Sequence, residues 1–406
     1  MANVFSIEKR VVRAAVFTEK ETAVLDVFRE DKSKEFGSDQ GDTLNIKAPS
    51  YPAISDGMTG TTQDVNFGDV QLTVSAFNTS ISLAAIDEAL KVEDYDEDIA
   101  KPAGVSVADY IESKTVNECV NNAGTISVIA ATPTFQNLSN LHAGVRILRM
   151  GRDMVGFIDP LVKAAVIGTG NNQFGLAKGE QMYSGEVGTF DKVPYHEHYT
   201  MPLFTMNNLP VAGTSKVTVA VTAQGATQLT IDGLVHATNP VAAGTVFELT
   251  GVNIPTVTGK DTGRKRQFIV TRTSAAAVSN TVTVDVAPIY FKEAAGTSNT
   301  TSARQNVTVE SIAQNTVVSA VLTAADKSYR LAIAIDKNTV VWASPMLPKY
   351  KDKPATSSTS MKPNKIALRV GNFSSGTDGS QMVRLDGLFG VRAVTPKGIA
   401  LMLVQQ

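Results

Sequence analysis

A single cysteine in 406 residues, Cys119, excludes an internal disulfide and a cysteine-ligated metal cluster. Aromatic residues make up only 6% and tryptophan occurs once, at Trp342, so the cores must be built from Val, Ala, Leu and Ile. A surplus of positive charge is also missing. The net charge of −2 argues against a protein whose main work is clamping nucleic acid. Long hydrophobic runs are lacking too: Leu331–Ile335 and Val340–Ala343 are separated by Asp336 and Lys337, and neither spans a bilayer. Near the start, Glu8, Lys9, Arg10 and Arg13 leave no uninterrupted apolar stretch for a secretory signal. The sequence therefore predicts a soluble protein with no membrane partner, folded in a reducing cytoplasm.

What is present fits a folded chain, with 43% hydrophobic and 19% charged residues and a length that predicts two or three domains. Residues 1–36 alternate charge with Val, Phe and Leu. A stretch rich in Gly, Asp, Thr and Pro follows, holding two strand-like runs, Thr43–Lys47 and Val70–Phe77, which read as a long hairpin. So little of that hairpin is apolar that it must lie on something else to offset its ordering cost. Ser80–Lys91 reads as a short helix, and the acidic run Glu93–Asp98 as a solvated linker. The strongest helix is predicted from Ser106, with Ala108, Ile111, Thr115, Cys119 and Ala123 on one stripe and Gly124 at its end. From 126 to 208 the pattern is α/β: Leu138, Leu141, Val145 and Leu148 mark one helix, and Asp159-Pro160 opens another as N-cap and first helical residue. Residues 213–337 change character, with five short β-runs rich in Thr and Val, and read as a small all-β barrel or sandwich. Three patterned strands close the chain: Lys365–Val370, Gln381–Leu385 and Gly390–Val394.

Chemistry-bearing motifs are few. His196-Glu197-His198 puts two imidazoles on one strand face, but a metal site needs a third ligand to which the sequence does not point. The glycine-rich Gly168–Gly175 follows a helix and lacks the spacing of a dinucleotide or phosphate loop. Asp153, Asp159 and Asp191 read as caps and turns. No catalytic, cofactor-binding or metal-binding residue is predicted, and an enzyme reading has no support. Two basic clusters stand out: Lys260, Arg264, Lys265, Arg266 and Arg272, and then Lys349, Lys351, Lys353, Lys362 and Lys365. Each reads as a solvated loop, or as a contact with an acidic neighbouring subunit or with packaged nucleic acid.

Six stretches follow one another along the chain: Gly41–Pro49, Ile99–Gly124 with Asn121-Asn122-Ala123-Gly124 at its end, Phe157-Ile158-Asp159-Pro160, Ala242–Leu249, Thr339–Pro348, and Ala367–Leu403 with Met382-Val383-Arg384-Leu385-Asp386. In that order they resemble the major capsid (coat) protein of Salmonella-type short-tailed bacteriophages. Their colinear order is the argument, since none is diagnostic alone. One departure is the stretch Ala223–Gln228, short where some members carry a long acidic loop tying capsomers together.

That resemblance implies an α+β tailed-phage capsid fold with an inserted all-β barrel domain. It divides the chain into an N-terminal arm (1–36), an extended loop (37–78) and a peripheral domain with a spine helix (79–125). An apical domain (126–212, returning at 338–364) then holds the insert (213–337), and peripheral strands (365–406) end the chain. It implies an icosahedral shell of pentamers and hexamers around double-stranded DNA, assembled in the bacterial cytoplasm on a scaffolding protein, with a portal protein, and expanding on maturation. Glu19, Glu21, Asp26, Glu30 and Asp31 are the expected scaffold contacts; Lys260, Arg264, Lys265, Arg266, Lys349, Lys351 and Lys353 are the expected subunit or DNA contacts. The rival readings are an encapsulin-like compartment shell and, from another class, a β-rich adhesin or glycan-binding surface protein.

Overall fold

The computed structural model describes residues 28, 30–36, 41–52, 69–83, 101–174, 189–292, 300–302, 304–321, 327–348, 357–361, 366–374 and 381–406. The fold is mixed α+β, with three α-helices and many strands among these residues. The chain divides into two compact units, one of residues 1–46, 71–116 and 340–392, the other of 47–70, 117–339 and 393–406.

The first unit holds a six-stranded sheet. Glu30–Asp31, Val340–Ala343, Gln381–Ala393, Leu368–Ser374 and Ser357–Met361 lie in that order, and Ser75–Leu83 also pairs with Gln381–Ala393. Antiparallel pairing runs from Ser75 opposite Phe389 to Leu83 opposite Gln381. The expected helix over Ser80–Lys91 is therefore a strand as far as Leu83, and its remainder lies outside the described residues. The two strands expected at Gln381–Leu385 and Gly390–Val394 are one strand of 13 residues. At its middle, Asp386 is buried between two guanidiniums, 2.8 Å from Arg369 and 2.6 Å from Arg384. Residues 340–343, assigned by sequence to an apical return, belong to this sheet.

The long helix α1 (Lys101–Asn121) begins a turn earlier than expected. Pro102 occupies its first turn, where a missing N–H costs nothing, and the Ser106 hydroxyl donates back to the Pro102 carbonyl at 2.9 Å instead of capping. Its predicted stripe of Ala108, Ile111, Thr115, Cys119 and Ala123 is buried. Burial drives the Cys119 thiol pKa far up, so it stays protonated.

The second unit is built on a seven-stranded sheet. Thr125–Ile129, Ile399–Gln405, Ser328–Asp336, Met154–Ile158, Val193–Glu197 and Thr189–Phe190 follow one another, with Phe204–Thr205 also pairing with Ser328–Asp336. In the strand Ile399–Gln405 the run Ile399–Val404 is continuously apolar and buried, as a strand covered on both faces requires. Helices α2 (Phe135–Ile147) and α3 (Pro160–Phe174) contribute to one core over this sheet. Leu138, Leu141, Val145, Val162 and Val166 meet the small side chains Ala332, Ala334 and Ala400 there. Asp159 caps α3 as predicted: one carboxylate oxygen accepts from Leu161 N at 2.9 Å and the other from Arg330 Nη1 at 2.9 Å. Gly168–Phe174 continue α3, so the expected glycine loop is helical up to that point.

Within the expected insert, Ala226–Asp232, Thr281–Ile289, Asp261–Arg272, Val246–Pro255 and Val318–Ala320 form a five-stranded sheet in that order. Residues 215–221 join its two edges: Val217 bridges Ile231 on one side, while Lys216 bridges Val317 on the other. Phe247 and Phe268 face each other across paired strands, ring centroids 5.8 Å apart, inside a core with Val217, Ile231 and Val284. Ser328–Asp336 belongs to the seven-stranded sheet, so this module ends before residue 328 and not at 337. The last strand likewise joins the seven-stranded sheet and not the strands of 366–393. In the expected extended loop, Thr43–Lys47 pairs with Asp69–Thr73. Ser50–Pro52 pairs antiparallel with Thr300–Ser302, so part of the extended loop finds its support within its own chain.

Candidate assembly and contact surfaces

Strand direction decides what each end of the seven-stranded sheet displays. Met154–Ile158 and Val193–Glu197 run parallel, with Gly156 opposite Tyr195 and Ile158 opposite Glu197. Both strands therefore deliver their following residues to the same rim. There Leu161, in the first turn of α3, is 55% exposed and Tyr199 is 84% exposed. The strand Ser328–Asp336 runs the other way and starts at this rim, where Ser328 pairs with Thr205. That brings in Leu203, also exposed. Three large apolar side chains thus stand in solvent along one edge. No local pattern marks this grouping, because Leu161 is distant in sequence from Tyr199 and Leu203 and meets them through strand register.

Below this rim His142 is buried on α2 in a polar chain. Its Nε2 lies 2.5 Å from the Tyr195 hydroxyl and its Nδ1 3.4 Å from Asp191 Oδ2, and Arg146 Nη1 donates to the same Asp191 oxygen at 2.7 Å. Neutral imidazole protonated on Nδ1 satisfies both neighbours, accepting from Tyr195 and donating to Asp191. Burial lowers the His142 pKa against the opposing pull of Asp191, and burial raises that of Tyr195. Tyr195 is fixed in place because Gly156 opposite leaves room for its ring: a Cβ there would lie 2.3 Å from it.

A second polar cluster joins the start of the last strand to the five-stranded sheet. Lys397 is buried and donates from Nζ to the Thr256 carbonyl at 2.9 Å, and Arg266 Nη1 donates to the Gly124 carbonyl at 2.6 Å. Gln267 Oε1 accepts from Ile126 N at 2.9 Å. Desolvation, joined by the charge of Arg266, lowers Lys397 to about 7, and desolvation lowers Arg266 to about 10. Gly124 does not cap α1. It is glycine because a Cβ would lie 2.5 Å from the Pro396 carbonyl oxygen.

This placement corrects the expected basic contact cluster. Arg266 is internal, 2% exposed, and held by Gly124, so it is not available to a neighbour or to DNA. Its neighbour Gln267 reaches the same segment, at Ile126 N, while Lys265 is exposed. Lys265 forms an ion pair with Glu248, and Arg272 with Asp285 at 2.7 Å. Lys260 and Arg264 stand exposed, with no ion pair among the described residues. Lys349, Lys351, Lys353, Lys362 and Lys365 lie outside the described residues, as do Glu19, Glu21 and Asp26. Glu30 and Asp31 form a short parallel pair with Val341 and Trp342, and the Asp31 carboxylate accepts from Ser33 N at 2.9 Å. His196 and His198 both pack against Phe157, and His198 Nδ1 lies 3.0 Å from Thr200 Oγ1. No group of three potential metal ligands occurs among the described residues, and no described helix is long and apolar enough to cross a membrane.

No family model and no curated protein sequence matches the chain. Similarity to solved structures extends over most of the chain. The chain is similar to a structure of Mycobacterium phage Che8, with 9% identity over 94% of this chain and 90% of that one, at a TM-score of 0.47. It is similar to the capsid of cyanophage P-SCSP1u, with 10% identity, 93% and 89% coverage and a TM-score of 0.44. It is also similar to an encapsulin complex from Synechococcus elongatus, with 10% identity, 89% and 81% coverage and a TM-score of 0.40.

Proposed function

We propose that this chain is a shell-forming structural protein, the major capsid protein of a tailed bacteriophage. The observation that carries the reading is the apolar rim of Leu161, Tyr199 and Leu203 on a rigid, doubly covered sheet. Three large apolar groups on one sheet edge are suited to burial against further copies of the same chain. A long helix followed by a sheet interrupted by a strand-rich module supports the reading. In this reading copies close into pentamers and hexamers of an icosahedral virion shell around double-stranded DNA. Assembly takes place in the bacterial cytoplasm on a scaffolding protein, with a portal protein at one vertex, and expansion accompanies maturation. Glu19, Glu21, Asp26, Glu30 and Asp31 are the proposed scaffold contacts, and Lys260 and Arg264 proposed subunit contacts. The role is structural and requires no cofactor.

The test is expression of the full chain with and without its co-encoded scaffold, read by sedimentation velocity and electron microscopy. Closed shells are expected from the wild type, and smaller species from a Tyr199→Ser/Leu203→Ser variant. A chain that stays monomeric under all conditions refutes the reading. Shells that capture a protein cargo and exclude DNA would favour the compartment alternative.

A further inference from the structure

At the opposite rim of the same sheet, three neighbouring strands, Met154–Ile158, Val193–Glu197 and Ser328–Asp336, are flanked by basic residues. The parallel register of Gly156 with Tyr195, continued backwards, sets Arg152 and Asp153 beside Asp191 and Lys192. On the other side Asp336 pairs with Met154, and Lys337 N donates to the Asp153 carbonyl at 3.0 Å. Lys192, Arg152 and Lys337 therefore stand on adjacent strand ends, about 4.8 Å apart per strand. Arg146 extends the row, held against Asp191 through its side chain at 2.7 Å and its carbonyl at 3.2 Å. Arg149 follows one turn on, its N–H donating to the Arg146 carbonyl.

The backbone here is unusual. Arg149 has φ of 63° and Lys192 φ of 64°, in the left-handed region that favours glycine and asparagine. Both are strained relative to glycine, so two cations are displayed where glycine would be more stable. Opposing charge is limited. Asp153 is paired with Lys337 and Asp191 with Arg146, while Asp336 is buried and accepts from the N–H groups of Gly151, Arg152 and Asn338. Arg149, Arg152 and Lys192 are exposed and have no ion pair among the described residues.

We propose that this rim, carried by Arg146, Arg149, Arg152, Lys192 and Lys337, is a sequence-independent binding surface for the phosphate backbone of double-stranded DNA. A row of cations at fixed strand spacing suits a regular linear polyanion. Three of the five are guanidiniums, whose forks match phosphate oxygens in pairs. The site is weak by construction, since three to five neutralised phosphates give affinity that salt readily removes. For a shell this means genome contact without permanent capture, so the biological setting rests on the capsid reading while the binding itself does not.

The test is fluorescence anisotropy of a labelled DNA duplex against the unassembled full chain, from 50 to 200 mM salt. The wild type should show a log–log slope of about −3 to −4. An Arg149→Gly/Arg152→Gln/Lys192→Gly variant should lose about 2 to 3 of that slope while folding at least as stably, because glycine relieves both left-handed positions. A Lys260→Gln/Arg264→Gln variant should keep the wild-type slope. The proposal is overturned by no measurable wild-type binding at 50 mM salt, by an unchanged slope in the triple variant, or by loss of slope in the Lys260/Arg264 variant. It is equally overturned if the triple variant keeps DNA affinity but no longer self-associates, which would make the rim a subunit contact. Failure of the wild type to build shells bears on the capsid reading alone.

Discussion

Lys397 offers the most demanding test of how the last strand is joined to the five-stranded sheet. Its ammonium is buried beside Arg266, with the Thr256 carbonyl as acceptor at 2.9 Å. Desolvation, with the nearby Arg266 charge, lowers it from 10.5 to about 7. Between those two values the unfolded chain holds a proton that the folded chain has released, so stability rises with pH across the window. At about 1.4 kcal/mol per pH unit, the part between pH 7 and 8.5 holds on the order of 2 kcal/mol. Stopping at 8.5 avoids Cys119, whose raised pKa works in the opposite direction once the unfolded thiol ionises. Hydrogen exchange of the segments around Thr256 and Ile399, corrected for the intrinsic pH dependence of exchange, reads the local opening free energy directly. The wild type should gain about 2 kcal/mol of protection from pH 7 to 8.5. Lys397→Met, which keeps the apolar stem and removes the titrating group, should show a flat profile. Parallel profiles in the two proteins, or a wild type that loosens as pH rises, would refute the burial argument.

Two other sites give simpler expectations. Gly124→Ala places a Cβ 2.5 Å from the Pro396 carbonyl and 2.8 Å from Lys397 Cα, so backbone must move. We expect a loss of about 1–3 kcal/mol, read as a lowered thermal midpoint together with faster exchange at Thr256. At His142 the lowered pKa acts in the same direction as at Lys397 but in a lower pH range: the unfolded imidazole takes up its proton near 6.5, before the folded one does. Stability should therefore be full above pH 6.5 and decline as pH falls towards 5, and His142→Phe/Tyr195→Phe should flatten that decline in a urea titration.

Local chemistry was legible where a residue acts on its own neighbours. Asp159 before Pro160 announced a helix start, and the stripe from Ala108 to Ala123 announced a buried helix face, because both are set within one or two turns. Ser106 misled because a serine followed by an acid three residues later also occurs inside a helix, where the hydroxyl bonds back to residue i−4. The strand Ile399–Gln405 was passed over because a fully buried central strand shows no alternation. Arg266 reads as one cluster with Arg264 and Lys265 by adjacency, and only its contact with the Gly124 carbonyl reveals that it is internal. Both rims are hard to read for one reason: Leu161 meets Tyr199 and Leu203, and Arg146, Arg149 and Arg152 meet Lys192 and Lys337, through registers that no local pattern encodes.

Those registers also keep the two rims chemically independent. Five-residue strands such as Met154–Ile158 set the apolar and basic ends about 17 Å apart at about 3.3 Å per residue. That is about twice the screening length near physiological salt, about 8 Å, so charge at one end is scarcely felt at the other. Association through Leu161, Tyr199 and Leu203 should then be nearly insensitive to salt, since it buries apolar area. DNA affinity at the basic end should fall steeply: a log–log slope of −3 means about a 60-fold loss between 50 and 200 mM. Measured on the same preparation, sedimentation should show an unchanged oligomer distribution across that range while anisotropy shows DNA released. If both respond to salt with the same slope, association runs through the cations, and the division of labour between the two sheet ends is wrong.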